Sequence, residues 1–396
     1  MTEQFQIVGQ CYQTNARAAV LSTKHGNIPT PSFMPVASQA TVKALTPEDL
    51  WSMGVNLIIA NTYHLYLRPG LEVIQVFGGL HSFMSWDGPI VTDSGGYQVF
   101  SLAPLCKVSE EGVTFRSHID GSSHFISPEI AIQLQEKLGA DIIMPLDECL
   151  PAVCNKSMAR SAMERTHRWA LRCKETHQKK DQSLYAIVQG GMCPELRKES
   201  ARCLGSMDFP GYAIGGLSLG ESKDTMCEML EASLEYLPEY SPHYLMGVGA
   251  PEDILEGVSR GVDLFDCALP TRVARNGAVL TSYGRRSIRN ASFKNDDSVI
   301  DADCDCYTCR TFSTAYLHHL FKCEELLGYR LSTIHNVRFI IRLMEQIRES
   351  IMNGSFVSFK QSFLDQYQTT NETVRLREKA RRMHRRDAGQ AGEGNR

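Results

Sequence analysis

Short apolar runs recur along the chain, and each of them gives way to polar or glycine residues before a segment of helical character. Eight such runs occupy residues 33–36, 57–60, 89–92, 141–146, 184–188, 212–215, 244–248 and 262–265. Continuous apolar runs of this length are typical of strands that are buried on both faces. The pattern therefore predicts eight short strands in the interior of a parallel sheet.

The segments between these runs carry helix-start signals. Thr46 and Ser127 each precede a proline and an acidic residue, a common sequence at a helix N-terminus. Residues 155–180 form a long, charged, amphipathic segment. Strand–helix alternation with right-handed crossovers gives a parallel sheet, and eight such units close into a barrel. We therefore predict an α/β fold, a (β/α)8 TIM barrel, with an open doubly wound sheet as the structural alternative.

Polar residues and glycines stand directly after predicted strands, where a barrel collects its reactive groups. They are Asp93, Asp147, Gln189, Gly216, Gly247 and Asp266. Each aspartate alone could cap a loop, but three at equivalent strand ends predict that their carboxylates converge on one mouth. Two facing carboxylates suit chemistry at the anomeric carbon of a sugar, where one attacks C1′ and the other transfers protons.

Glycine-rich loops accompany these acids. Gly95 and Gly96 precede Tyr97, and similar loops occupy residues 189–191 and 215–217. Such loops let the backbone approach a flat ligand, on which Tyr97 can stack, and amide groups can read the edge of a heterocycle. A glycine turn beside a core tyrosine is the structural alternative. The sequence contains neither a Walker A motif nor a G-x-G-x-x-G motif after a strand, so ATP and dinucleotides are not indicated.

A cysteine motif near the C-terminus predicts a metal site. The C-x-C-x-x-C pattern is formed by Cys304, Cys306 and Cys309. With His335 from a following helix, three thiolates and an imidazole make a closed tetrahedral zinc site, which is structural because no coordination position stays open. His318 and His319 compete with His335 as the fourth ligand. An iron–sulfur site and chance clustering are the alternatives, since the chain has 13 cysteines.

Composition narrows the class of protein. The chain has 396 residues, of which 43% are hydrophobic, so a large core can be buried. A net charge of −4 argues against coating nucleic acid by bulk charge. Local basic groups are present, because Arg272 and Arg275 follow Asp266 closely and residues 375–386 are strongly basic.

The cysteines lack framework spacing, and neither a signal-peptide pattern nor a run of roughly 18 apolar residues occurs. We expect a cytoplasmic protein without a membrane partner.

These patterns suggest how the chain is organised. We expect an N-terminal β-hairpin cap in residues 1–32, with the hairpin itself at 5–23, and the catalytic barrel in residues 33–290. A zinc-binding subdomain with closing helices is expected in residues 291–386, and a disordered tail in residues 387–396. Between Asp266 and a helix near 335–351, the pattern predicts little regular structure.

Six ordered motifs together resemble one family. They are VTDSGGYQVF at residues 91–100, LDEC at 146–149, VQGG at 188–191, IGGL at 214–217, LMGVG at 245–249 and FDCALPTR at 265–272. This set is similar to the queuine tRNA-ribosyltransferases, also called tRNA-guanine transglycosylases, and most similar to their bacterial type. The similarity runs from about residue 5 to the helix after His335.

The resemblance implies a role for each motif residue. Asp266 would be the nucleophile on C1′ of the target guanosine, and Asp93 the general acid/base. The base would be bound by Tyr97, Asp147, Gln189, Gly216, Leu217 and Met246. The tRNA anticodon loop would be held by Thr271, Arg272 and Arg275. One structural Zn²⁺ per subunit would be bound by Cys304, Cys306, Cys309 and His335.

The resemblance also implies the reaction. Guanine at the wobble position of a U-G-U context, in tRNAs for Asp, Asn, His and Tyr, would be exchanged for 7-aminomethyl-7-deazaguanine through a covalent intermediate in queuosine biosynthesis. Family members are typically homodimers. Direct insertion of queuine is one alternative. A non-catalytic tRNA-binding partner subunit is another, although such a subunit is expected to lose the acid pair. A barrel glycosidase would be expected to carry several tryptophan platforms, and this chain has three Trp.

Overall fold

The computed structural model describes residues 4–102, 106–151 and 153–369, and all structural statements refer to these ranges. Their strands, in chain order, are β1 (Gln4–Gln10), β2 (Arg17–Thr23), β3 (Gly26–Thr30), β4 (Ser32–Met34), β5 (Val36–Ala37), β6 (Ile58–Asn61), β7 (Ile90–Asp93), β8 (Cys106–Val108), β9 (Val113–Arg116), β10 (Ser123–Ile126), β11 (Ile142–Ile143), β12 (Ser183–Leu184), β13 (Ala186–Val188), β14 (Tyr212–Ile214), β15 (His243–Leu245), β16 (Leu264–Asp266), β17 (Ala278–Thr281) and β18 (Gly284–Ser287).

Helices alternate with most of these strands. They are α1 (Pro47–Ser52), α2 (Thr62–Leu67), α3 (Leu71–Val76), α4 (Leu80–Met84), α5 (Gly96–Leu102), α6 (Pro128–Leu138), α7 (Lys156–Thr176), α8 (Pro194–Gly205), α9 (Lys223–Leu234), α10 (Pro251–Ser259), α11 (Leu269–Arg275), α12 (Tyr307–Thr311), α13 (Thr314–Lys322), α14 (Leu326–Met352) and α15 (Phe356–Gln366). The predicted N-caps are confirmed, since Thr46 and Ser127 accept hydrogen bonds from backbone N–H groups of α1 and α6.

The predicted eight-stranded barrel is confirmed. Parallel strands pair in the orders β12-β11-β7-β6-β5 and β13-β14-β15-β16-β4. The first predicted strand divides at Pro35 into β4 and β5, and the fifth divides at Tyr185 into β12 and β13. Because each divided strand has one half in each sheet, the two sheets join at both sides into a closed ring. The open doubly wound sheet is therefore excluded.

Alternate side chains of the barrel strands fill its interior. The cluster comprises Met34, Leu57, Ile59, Val91, Ile142, Met144, Tyr185, Ile187, Ala213, Tyr244 and Leu264. Two residues of the N-terminal sheet, Leu21 and Ile28, belong to the same buried cluster. They close the end of the barrel at which the strands begin, so the opposite end, where the strands finish, carries the open mouth.

Two antiparallel sheets accompany the barrel. β1 and β2 form the hairpin expected at residues 5–23, and β3 pairs with β2 as a third strand. β8, β9 and β10 form a second sheet between β7 and α6, which the apolar pattern did not predict. The sequence VTFR of β9 alternates buried and exposed residues, so the signal was present but short.

The segment after Asp266 is more regular than expected, and that prediction was wrong. It contains α11, the hairpin of β17 and β18, α12 and α13 before the long helix α14 begins. Asn336 of α14 accepts from the Leu280 N–H and donates to the carbonyls of Pro270 and Ala278, so a single buried amide joins α14, α11 and β17. The basic stretch at 375–386 and the tail at 387–396 lie outside the described residues. None of the described helices has the length and apolar character that crossing a bilayer requires.

Candidate active site at the mouth of the barrel

Asp93 lies at the end of β7 and is held from the neighbouring strand end. Asn61, the last residue of β6, donates from Nδ2 to Asp93 Oδ2 at 2.6 Å, and the Thr62 N–H donates to Oδ1 at 3.2 Å. Asn61 Oδ1 also accepts from the His64 N–H as the N-cap of α2. The amide can therefore not flip without losing its cap, and the carboxylate orientation is fixed.

Burial is the largest influence on Asp93, and it raises the pKa of this carboxyl group to about 7. The negative charges of Asp266 and Asp147 raise the pKa further, while the hydrogen bonds from Thr62 and Asn61 lower it. Asp93 and Asp266 end β7 and β16, and Asp147 follows β11, so all three carboxyl groups lie towards the same end of the barrel. A pKa near neutrality suits a group that must both give and take a proton.

Asp266, the last residue of β16, is held by the neighbouring strand β15 and by the loop that follows β15. Tyr244, whose ring lies in the barrel interior, donates from its hydroxyl to Asp266 Oδ1 at 2.5 Å, and the Gly247 N–H donates to the same oxygen at 2.8 Å. Burial raises the pKa of Asp266, and both of these hydrogen bonds oppose that rise because they stabilise the charged form. Both donors therefore bond the same carboxylate oxygen, Oδ1.

Asp147 and Gln189 form one hydrogen-bonded unit. Gln189 Nε2 donates to Asp147 Oδ2 at 2.8 Å, and both residues are buried. Burial raises the pKa of Asp147 to about 6, with the Gln189 bond opposing this rise. A Cβ atom on Gly216 would lie 2.6 Å from Gln189 Oε1, and one on Gly96 would lie 2.9 Å from the Asp147 carbonyl. Both loops therefore need glycine to pass close to this amide–carboxylate pair.

A buried arginine braces the loops behind this pair. Arg197 of α8 is fully buried, and its Nε donates to the Gly191 carbonyl at 2.9 Å. Its Nη1 donates to the carbonyls of Gly215 at 2.8 Å and Val188 at 3.3 Å. The loops after β13 and β14 are thus tied to one rigid planar group.

The remaining predicted base-binding residues occupy the same rim. Tyr97 stands on the first turn of α5 and is 43% exposed, so its ring is free to stack on a ligand. Met246 follows β15 and packs against the interior cluster, and the Leu217 side chain is buried. After Leu217 the backbone turns around Glu221, whose carboxylate accepts the N–H groups of Leu219 and Gly220, each at 2.9 Å.

Two arginines stand beside the mouth on α11, the helix that follows Asp266. Arg272 is exposed, whereas Arg275 donates to the carbonyl of buried Thr271 at 2.9 Å. Burial and the positive charge of Arg272 lower the pKa of Arg275. The two arginines thus stand about one helical turn apart on α11.

The predicted metal ligands come together in the C-terminal region. The ligand atoms of Cys304, Cys306, Cys309 and His335 all lie within 4.8 Å of one another, and all four residues are buried. His335 Nδ1 lies 3.2 Å from Cys309 Sγ, and its Nε2 contacts the Leu280 carbonyl at 2.6 Å. That outer bond places the ring proton on Nε2 and leaves Nδ1 free for a metal.

The two competing histidines lie elsewhere. His318 Nδ1 bonds the Ile288 carbonyl at 2.7 Å, and His319 lies beside exposed Cys323. Three thiolates and one imidazole are a donor set that zinc prefers. The residues therefore fit a structural zinc ion.

Sequence reasoning missed four residues that support the site. Asn61 directly follows a predicted strand, so the argument that selected Asp93 as a polar residue after a strand could have selected Asn61 as well. Tyr244 stands two residues before Met246, so the alternation of side chains along a strand predicts that both face the same side. The sequence does not show that Tyr244 bonds Asp266. Arg197 and Glu221 act on backbone groups, and no short motif indicates such contacts.

Comparison with known proteins agrees with this geometry. The sequence matches the family described as Queuine tRNA-ribosyltransferase over residues 11–369. A relative of that name from Dehalococcoides mccartyi is 60% identical over 364 residues, which cover 92% of this chain and 93% of the relative. A relative of the same name from Pelotomaculum thermopropionicum is 56% identical over 93% of this chain and 100% of its own length. A third, from Herpetosiphon aurantiacus, is 55% identical over 93% of this chain and 94% of its own length. The chain belongs to the queuine tRNA-ribosyltransferase family.

Proposed function

We propose that this chain is a tRNA-guanine transglycosylase that replaces guanine at the anticodon wobble position with 7-aminomethyl-7-deazaguanine. The observation that carries the proposal is the arrangement of Asp93 and Asp266 at one mouth, each fixed by neighbouring donors, beside the Asp147–Gln189 pair. An inactive tRNA-binding partner subunit would have no use for two such oriented acids.

The first half-reaction breaks the bond between the ribose and guanine. Asp266 Oδ2 attacks C1′, the C1′–N9 bond breaks, and its electron pair leaves with the base. Asp93, protonated near neutral pH because its pKa is about 7, gives its proton to the departing guanine. The ribose of the tRNA is then esterified to Asp266.

The second half-reaction reverses these roles. N9 of the incoming deazaguanine attacks C1′ and gives its proton to Asp93, while the C1′–Oδ2 bond breaks and regenerates the Asp266 carboxylate. The exchange conserves the glycosidic bond energy, so it needs no ATP, in agreement with the lack of a Walker A motif. A single group with a pKa close to 7 can serve both half-reactions.

Base recognition uses the buried amide–carboxylate pair. The Asp147 carboxylate can accept from the N1–H and 2-amino groups of a guanine-like ring, and Gln189 together with the Gly216 N–H can donate to its carbonyl oxygen. Tyr97 and Met246 would flank the ring, and the Leu217 carbonyl would meet the aminomethyl group. Competing 7-aminomethyl-7-deazaguanine against queuine for insertion into one tRNA would separate the proposed base from its alternative.

The tRNA would reach the site through its anticodon loop. An unpaired loop base is cheap to extrude into a pocket. Thr271, Arg272 and Arg275 would hold the neighbouring phosphates, since α11 directly follows the proposed nucleophile. We also propose a homodimer, which size-exclusion chromatography with light scattering would test.

The cysteine cluster would hold one zinc ion for structure. Cys304, Cys306, Cys309 and His335 supply all four ligands, so the ion has no open position for substrate or water. Its contribution is to fix α14 against the segment that carries Leu280.

The Asp266→Asn variant tests the nucleophile. We expect exchange of radiolabelled guanine into tRNA to fall about a thousandfold or more, because an amide is a poor nucleophile. A tRNA adduct that survives a denaturing gel should form with the wild type and be absent from the variant. Asp181→Asn, at an exposed ion pair with Lys24, is the control and should behave as wild type. Wild-type exchange by Asp266→Asn would remove this residue as the nucleophile.

A further inference from the structure

Two histidines and an aspartate meet at the closed end of the barrel, opposite the active site. His25 lies in the turn between β2 and β3, His81 lies on α4, and Asp141 immediately precedes β11. One ligand atom from each of the three lies within 4.8 Å of those of the other two. Asp147, by contrast, follows the same strand at its far end, so the two groups of acids are separated by the length of the barrel wall.

The distances match those between ligands of one shared cation. His25 Nδ1 lies 2.8 Å from Asp141 Oδ1, and His81 Nε2 lies 3.3 Å from Asp141 Oδ2. Two ligand atoms that each bind zinc at about 2.1 Å stand roughly 3.0–3.4 Å apart at octahedral to tetrahedral angles. Because the two rings are stacked and their lone pairs run nearly parallel, one imidazole must rotate before both nitrogens can face the same ion.

The carboxylate is already oriented by the backbone. The Ile90 N–H donates to Asp141 Oδ2 at 2.9 Å, and the His25 N–H donates to Oδ1 at 3.2 Å. The Asp141 main chain is held as well, because its N–H donates to the Ile90 carbonyl and its carbonyl accepts from the Ser183 N–H. Outer-shell hydrogen bonds of this kind fix metal-binding carboxylates in place.

One cation could serve both imidazoles and the carboxylate at the same time. The His25 and His81 rings stack with centroids 3.7 Å apart, so two protonated rings here would repel each other at close range. His81 Nε2 is buried and has Asp141 Oδ2 as its neighbour at 3.3 Å, so both rings compete for the charge of one carboxylate. One dication would accept a lone pair from each ring and balance the carboxylate charge.

We propose that His25, His81 and Asp141 form a second metal site, selective for a borderline divalent ion such as Zn²⁺. Two imidazole nitrogens and one carboxylate favour zinc over Mg²⁺ or Ca²⁺, which prefer oxygen ligands alone. The His25 side chain is 28% exposed, so the ion can enter from solvent and keep a water molecule as a further ligand. Bound there, the ion ties the N-terminal sheet and α4 to the start of β11.

Metal counting tests this site directly. Untagged full-length protein is equilibrated with excess Zn²⁺ at pH 7.5, freed of loose metal by gel filtration and analysed by mass spectrometry. We expect two zinc ions per wild-type chain and one in His81→Gln and in His25→Gln. His177→Gln is the matched control, since His177 pairs with Glu136 at 3.1 Å but has no second imidazole, and it should keep two.

Calorimetry of the wild type provides a second measurement that needs no variant. Zn²⁺ titrated into protein that already holds one zinc should show one further binding event, and it should raise the Tm of the wild type and of His177→Gln but not of His81→Gln. One zinc per wild-type chain with no further binding heat would overturn the proposal, and so would two zinc ions in His81→Gln. Neither outcome bears on the transglycosylase reaction, which uses the opposite end of the barrel.

Discussion

At the scale of single residues, the site is built from carboxyl groups whose protonated forms are favoured by burial. The pKa of Asp93 is raised to about 7 and that of Asp147 to about 6. The ordinary pKa of an aspartate is 3.8. At pH values between 3.8 and these raised pKa values, the two carboxyl groups are protonated in the folded protein but ionised in the unfolded chain. Stability therefore falls as the pH rises through this window, fully so above about pH 7. Burial of these carboxyl groups at the mouth of the barrel therefore costs folding free energy at neutral pH.

Asn61→Ser tests whether Asp93 sets the pH dependence of exchange. Serine retains an oxygen that can cap α2, but it removes the Nδ2 donor that stabilises the Asp93 carboxylate. The pKa of Asp93 should therefore rise, and the alkaline limb of kcat/KM for tRNA should move to higher pH by about 1 unit. A pH–rate profile at saturating base measures this shift.

Asn155→Ser is the matched control for that experiment. Asn155 caps α7 by the same bond, to the Met158 N–H, far from the carboxyl group in question. Its profile should coincide with that of the wild type. An unmoved alkaline limb in Asn61→Ser would assign that limb to a group other than Asp93.

At the scale of elements, buried strands were predictable because each is a continuous apolar run. The breaks at Pro35 and Tyr185 were not predictable, because the apolar runs 33–36 and 184–188 continue through both positions. The sheet of β8, β9 and β10 was not predicted, because its strands are short and partly exposed and therefore lack a continuous apolar run. Strand ends located the acids, whereas hydrogen-bond partners such as Tyr244 depend on which residues face each other across the interior.

Gly216→Ala tests how closely the loop after β14 must pass Gln189. The new Cβ would stand 2.6 Å from Gln189 Oε1, so Gln189 must move and its bond to Asp147 must weaken. We expect KM for the base to rise about tenfold or more, with a smaller change in KM for tRNA.

Gly139→Ala separates backbone strain from this steric effect. Gly139 has φ +76°, close to the +70° of Gly216, but among the described residues its Cβ would meet no atom within 4 Å. Both variants should lose about 1–2 kcal/mol of stability through strain alone. Only Gly216→Ala should lose base affinity; equal kinetics in the two variants would contradict the close-approach argument.

At the scale of the whole molecule, α14 links the cysteine cluster to the mouth of the barrel. His335 lies in the cluster, and the next residue, Asn336, donates to the Pro270 carbonyl at 3.1 Å within α11. Arg338 pairs with Asp305 between the cysteines at 2.7 Å, which fixes the same helix to the metal-binding loop. The proposed zinc thus supports, through one helix, the arginines that would hold the anticodon loop.

Cys306→Ala tests this connection. Structural zinc contributes directly to folding free energy, so the variant should contain one zinc ion fewer per chain than the wild type, and its Tm should fall by about 10 °C. Because α11 loses its support before the barrel does, KM for tRNA should rise more than KM for the base. Cys323→Ala, at an exposed cysteine, is the control and should match the wild type in all three measurements. If Cys306→Ala kept its zinc, the ligand set would be wrong; if it lost zinc but bound tRNA normally, α14 would not transmit the effect of the ion to the mouth.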